Sequence, residues 1–153
     1  SVSVTPTDQT APTFVSAVLA ANGTSLTLTY SETLSATTAA VGGFVITAGG
    51  AAVTVSSAVV SGSTVVLTLA VAVDQGATVL ASYTDPTSGN DASAIQDSAG
   101  NDAATFTAQA VTNNSTNVTI PGTTGTPTVV GGDGLSLVIV PQHTALASSQ
   151  VKP

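Results

Sequence analysis

The chain has 153 residues, 42% of them apolar, and a formal charge of −7 from eight acidic residues against a single cation, Lys152. That length suits one domain with its own core plus a short extension. With no Arg there is nothing to meet a phosphate backbone, which excludes nucleic acid binding; the same lack argues against an anionic membrane surface, and no apolar run approaches the roughly 20 residues of a membrane-spanning helix.

Charged residues make up 6% of the chain, against roughly 25% in an ordinary globular protein. The polar surface must then be mostly Ser, Thr, Asn and Gln, with little charge repulsion to oppose self-association. Ala and Val dominate the apolar set, joined by three Phe, two Tyr and no Trp, which predicts a thin core of small side chains. Without cysteine there is neither a disulfide framework nor a thiol nucleophile. A chain rich in Thr, Ser, Ala, Val and Gly and nearly free of Lys is typical of exported bacterial surface proteins, and a start at Ser1 is expected where an export signal has been removed.

Residues 1–9 read as an incoming linker or strand. From there period-two alternation dominates. Thr13 to Leu19 is the first predicted strand, and Asn22-Gly23 is a hairpin turn signal. Thr24 to Tyr30 alternates most cleanly, with Leu26, Leu28 and Tyr30 on one face and Thr27 and Thr29 on the other. Leu34 to Val41 carries a weak helical pattern. Further strands are expected at Phe44 to Ala48, Ala52 to Val60, Ser63 to Leu69, Thr78 to Tyr83 and Ala104 to Val111. Gly49-Gly50, Ser61-Gly62 and Asp74-Gln75-Gly76 supply the turns between them. Asp91 to Gln96 is a second short helical candidate. About seven short strands at this spacing predict an all-β fold, an immunoglobulin-like antiparallel β-sandwich over residues 10–111. Residues 112–128 read as a linker, and residues 129–153 as an extension with strand-forming runs at Val129-Val130 and Leu135 to Val140.

The stretch from Ser82 to Asp102 crowds Asp85, Asp91, Asp97 and Asp102 into one inter-strand segment. Two readings compete. Asp and Asn close turns through their own backbone, and Asp85-Pro86, Gly89-Asn90 and Gly100-Asn101 are turn signals. Alternatively, a hard cation such as Ca²⁺ needs six to eight oxygens, and Asp85, Asp91, Asp97 and Asp102 with Glu32, and with Asp8 at the domain entrance, are the candidate ligands. Known calcium patterns do not fit. An EF-hand loop starting at Asp85 would place Asn90 where Gly belongs and Gln96 where the bidentate Glu belongs, and "GGDGLSLVI" is a single imperfect copy of a repeat that works only in stacks.

No catalytic constellation is expected. His143 has no nucleophile elbow to serve. Glu32 with Asp85 or Asp97 could supply a glycosidase pair, but a chain with no Trp and two Tyr lacks aromatic sugar platforms. Asn22, Asn113, Asn114 and Asn117 begin glycosylation sequons, although such triplets also arise by chance in a Thr- and Asn-rich linker and Asn22 is better explained by its hairpin. Lys152 reads as solvated charge.

"DQTAPTFVSA", "GTSLTLTYSETL", "SGSTVVLTLA", "ATVLASYTDPTSGNDASAIQDSAGNDAATF" and "AVTNN" closely resemble, in order, the SwmB-type repeat of large cyanobacterial and other bacterial surface proteins, over residues 8–114. "TYSETL" and "QDSAGN" are shared more loosely with bacterial Ig-like adhesin modules. The resemblance implies an extracellular building block rather than an enzyme. The expectation is a cell-surface subunit that assembles with copies of itself, its Leu135, Leu137 and Ile139 adding a strand to a neighbour. The alternative is a monomeric adhesin module that binds a glycan or another surface protein.

Overall fold

The computed structural model describes residues 2–36 and 41–120. The eight strands among them are β1 (Phe14–Leu19), β2 (Ser25–Tyr30), β3 (Phe44–Ala48), β4 (Ala51–Val53), β5 (Val55–Ser61), β6 (Thr64–Leu69), β7 (Val79–Tyr83) and β8 (Phe106–Asn113). Alternation decides what goes inside. In β2, Leu26, Leu28 and Tyr30 are buried while Ser25, Thr27 and Thr29 are half-exposed, and β6 repeats the pattern with Val65, Leu67 and Leu69 inward. Register locks the two together: Leu26 faces Leu67 and Leu28 faces Val65.

The strands lie in the order β4-β3-β7-β8-β1-β2-β6-β5. Two four-stranded halves, β1-β2-β6-β5 and β4-β3-β7-β8, enclose the core. Their order is that of an immunoglobulin-type sandwich, A-B-E-D facing C′-C-F-G. The halves are stitched by one parallel pairing, Val18 with Thr112 and Leu19 with Asn113. Parallel neighbours begin at the same end of a sheet and finish at the same end. The chain therefore comes in at one pole, where β1 begins, and leaves at the opposite pole, where β8 ends.

Large side chains gather at the first pole. Phe14, Tyr30, Phe44, Tyr83 and Phe106 all sit at the strand ends there. Ring centroids lie 4.4 Å apart for Phe14 and Phe106, 5.0 Å for Phe44 and Tyr83, and 6.1 Å for Tyr83 and Phe106. The segment between β7 and β8 folds over them and tucks in Ala94, Ile95 and Ala103. The Ile95 amide donates to the Tyr83 hydroxyl at 2.8 Å. The thin core predicted from composition describes the middle of the sandwich, whereas this pole is plugged by aromatics.

Three local expectations need correction. The predicted strand at Ala52 to Val60 is two strands, because the chain leaves β3 at Thr54 to join β6 on the other half. The all-β fold holds, with eight strands where about seven were expected and one parallel pairing, β1 with β8. Asp91 to Gln96 is not helical: the Asp91 carboxylate captures the Ser93 amide at 2.7 Å in a turn, competing with a helical backbone as short polar side chains do. From Leu34 to Val41 the described residues include a bridge from Leu34 to Asp97 and the start of a 3-10 turn at Val41–Gly43. The body also extends beyond residue 111, since β8 runs to Asn113 and the compact unit to Asn117. No helix among the described residues is long and apolar enough to cross a membrane.

Candidate functional site

Six of the seven acidic residues in the described part, all but Asp74, lie on the segments of the first pole, and no strand carries a charged residue. Three of them are brought together from distant parts of the chain. The incoming segment is strapped down by the Asn101 side-chain amide, which donates to the carbonyls of Asp8 and Thr10 at 3.1 and 3.2 Å. Ala104 N–H then donates to the Pro12 carbonyl at 3.2 Å, and Ser31 N–H to Thr13 at 2.9 Å. Glu32 follows the end of β2, and Leu34, two residues further on, bridges Asp97. Carboxylate oxygens of Asp8, Glu32 and Asp97 consequently lie within 4.8 Å of one another.

Asp97 is nearly fully buried, 3% exposed. Burial alone would raise its pKa. The Asn101 side chain at 2.7 Å, with the amides of Asn101 at 2.9 Å, Ala99 at 2.8 Å and Gly100, more than offsets that and holds the carboxyl below its ordinary 3.8. Asp97 is thus a fixed anion. Glu32 is the opposite case. Its Oε1 is buried without a hydrogen-bond partner, and desolvation, followed by the charges of Asp8 and Asp97, raises its pKa above the ordinary 4.5. The described residues contain no Lys, Arg or His, so no protein cation among them neutralises this group. Oxygen-only donors of like charge converging on one point, one of them unsatisfied, match the chemistry of a hard divalent cation. Asp8, Glu32 and Asp97 are the residues that could hold one.

Of the six carboxylates named from sequence as candidate calcium ligands, Asp8, Glu32 and Asp97 meet here, while Asp85, Asp91 and Asp102 lie outside the group. Asp85 Oδ1 accepts the Thr87 amide at 3.2 Å. Asp91 accepts the Ser93 amide and the Thr87 hydroxyl. Asp102, 8% exposed, accepts the Asp91 amide at 3.2 Å and the Gln96 side-chain amide at 2.7 Å. These three knit the segment into its own turns.

The second pole is built from amides. Asn22 Oδ1 accepts the amides of Thr24 and Ser25 at 3.0 Å, closing the β1–β2 turn. The outgoing segment lies against that turn: Ser115 Oγ donates to the Val73 carbonyl at 2.6 Å, and Thr116 N–H to Ala21 at 3.0 Å. Asn113 donates to the carbonyls of Asp74 and Ala77, and Asn117 to the Asp74 carboxylate at 2.6 Å. The side-chain nitrogens of Asn113 and Asn117, where a glycan would attach, are thereby committed to the body, whereas Asn114 and Asn22 are exposed. The sequence reading missed this strap, for which "NNST" with Asp74 was the available signal. Leu135, Leu137, Ile139, His143 and Lys152 lie outside the described residues.

Comparison with solved structures gives an S-layer protein. The chain is similar to the N-terminal part of the bacterial S-layer protein SbsC, with a TM-score of 0.56 and 25% identity over 69% of this chain and 24% of that one. It is also similar to the S-layer protein rSbsC(31-844), with a TM-score of 0.51 and 26% identity over 69% of this chain and 14% of that one. This chain thus spans at most about a quarter of those proteins. A structure of surface layer protein SbsC, domains 1-6, at 24% identity and a TM-score of 0.56, shares the fold. No curated protein matches the chain. The family model described as "Putative flagellar system-associated repeat" matches residues 7–88, more than half of the chain. On that match the chain belongs to the SWM repeat family.

Proposed function

We propose that this chain is a non-catalytic structural module of a bacterial cell-surface layer or fibre, exposed outside the cell and assembling with copies of itself. The observation that carries the reading is its likeness to the S-layer protein SbsC over 69% of this chain. The geometry supports it, because a body whose chain comes in at one pole and leaves at the other, strapped down at both, is suited to being strung end to end. Strand complementation is the proposed mode of joining. Leu135, Leu137 and Ile139 alternate in a six-residue stretch, Leu135 to Val140, that is apolar except for Ser136 and would expose both apolar surface and unpaired backbone groups if left in water. Pairing with the sheet of a neighbour satisfies both needs.

In this reading Asp8, Glu32 and Asp97 bind a calcium ion that fastens the incoming segment to the body. The unpartnered Glu32 oxygen supports it.

The test is to truncate the chain after Asn117, where the compact unit ends, and to compare it with the full chain by light scattering and electron microscopy. The expected outcome is a folded body that forms no polymers from the truncated chain and polymers from the full one. A full chain that stays monomeric at high concentration overturns self-assembly and leaves the ligand-binding adhesin as the better reading. Polymers formed equally by both chains overturn strand donation alone.

A further inference from the structure

The outer wall of the β1-β2-β6-β5 half is a regular lattice with no charge on it. Register places Val59, Val66, Thr27, Val18 and Thr112 side by side in one row across β5, β6, β2, β1 and β8. Within this half the flanking rows are Ser16, Thr29, Thr64 and Ser61 on one side and Ser25, Thr68 and Ser57 on the other. Val59 is 58% exposed and Val18 38%. Sheets that must stay in water ordinarily carry Lys or Glu on such a face as a barrier to association, and here every outward position lacks one.

Such a wall costs little to bury. It has no charge to desolvate, and its short, β-branched side chains have little rotamer freedom to lose. Its hydroxyl groups can exchange water for one another. The charge distribution then selects the partner. With six carboxylates on the first pole and no described cation, two copies repel when their acidic poles approach, and they approach most favourably side by side through uncharged walls. We propose that this wall is a lateral contact between copies of the chain, a proposal that rests on the self-assembly reading above.

The area limits the strength of the contact. Four strands about 4.8 Å apart, with outward residues repeating about every 6.8 Å, give roughly 400 Å² per partner, about half of the ~800 Å² of a standard stable interface. One pair of walls is therefore a weak contact. In an array each module adds another at high effective concentration, and the contacts accumulate.

The experiment is sedimentation equilibrium of the full chain from about 10 µM to 1 mM, for wild type, Val59→Glu, Thr27→Glu and a control, Val45→Glu. Val45 is 53% exposed on the outer face of the other half, so the control carries the same added charge elsewhere. Wild type and Val45→Glu should associate reversibly, and added salt should tighten the association by screening the poles. Val59→Glu and Thr27→Glu should weaken it about tenfold or more through like charges brought face to face, with circular dichroism spectra unchanged. Thr27→Glu stands independently if Val59→Glu does not fold. If the chain associates and the wall variants associate as wild type does, or the control weakens it equally, the wall proposal is overturned while self-assembly stands. A wild-type chain monomeric to 1 mM overturns both. Loss of association on truncation after Asn117 with the wall variants indistinguishable from wild type assigns the contact to the tail and also overturns the wall.

Discussion

Replacing Gly23 with alanine puts a methyl group where the second pole has no room. Gly23 adopts φ +71°, and a Cβ there would meet the Val73 carbonyl oxygen at 2.7 Å and Ser115 Oγ at 2.8 Å. Those two atoms are the partners in the hydrogen bond that holds the outgoing segment. Two costs combine. The left-handed backbone costs an L-residue about 1–2 kcal/mol, and separating Ser115 from Val73 leaves buried polar groups unpaired, costing about 1–3 kcal/mol more. Gly49→Ala isolates the first cost, since Gly49 has φ +57° with nothing within 4 Å of its added methyl. Urea unfolding should show Gly23→Ala about 2–5 kcal/mol less stable than wild type and Gly49→Ala about 1–2 kcal/mol less stable, with unchanged slopes. Ser115→Ala should recover part of the gap in a double-mutant cycle, because the hydrogen bond is then already absent. Equal losses at the two glycines would refute the close approach, and with it the claim that the outgoing segment is clamped.

Two further expectations concern the core and the acidic pole. Leu28→Ala should cost about 2–5 kcal/mol, because Leu28 is fully buried, and Thr27→Ala on the outward side should cost well under half of that. Equal effects would mean the register is one residue out. In chelator, Glu32 binds its proton more tightly in the folded than in the unfolded chain. Its contribution is therefore present below pH 4.5 and is lost as pH rises through its folded pKa. Glu32→Gln should then melt above wild type at neutral pH, an advantage that disappears below about pH 4.5. Asp97 works the other way, stabilising above pH 3.8 and losing that effect as pH falls through its lowered pKa. Millimolar calcium should raise the wild-type melting temperature and leave Glu32→Gln and Asp97→Asn nearly unmoved. A wild-type melting curve indifferent to calcium and chelator removes the cation.

The sandwich was legible because its signals are local. Alternation in β2 and the glycine turns at Gly23, Gly49 and Gly62, all with positive φ, each declare themselves within a few residues. The break at Thr54 was not legible, since Val53, Thr54 and Val55 alternate straight through it and only the choice of pairing partner divides the segment there. The carboxylate cluster was legible only as part of a larger candidate set. Crowding along the chain put Asp85, Asp91 and Asp102 beside Asp97 in one set, and no local signal separates the four, since each accepts nearby amides. Asp8, far away in sequence, reaches Glu32 and Asp97 because Asn101 straps its backbone there.

The parallel pairing of β1 with β8 also determines how the module answers to being pulled. A chain held at both ends in a surface array is loaded along the line from the incoming to the outgoing segment. Because the two terminal strands are adjacent and run the same way, tension slides them past each other instead of peeling them apart. The bonds between Val18, Leu19, Thr112 and Asn113, with Asn114 N–H to Leu19 and Thr116 N–H to Ala21 behind them, must then give way together rather than one after another. A weak link in area becomes a stiff one under tension, and the rest of the sandwich is shielded from force until it breaks.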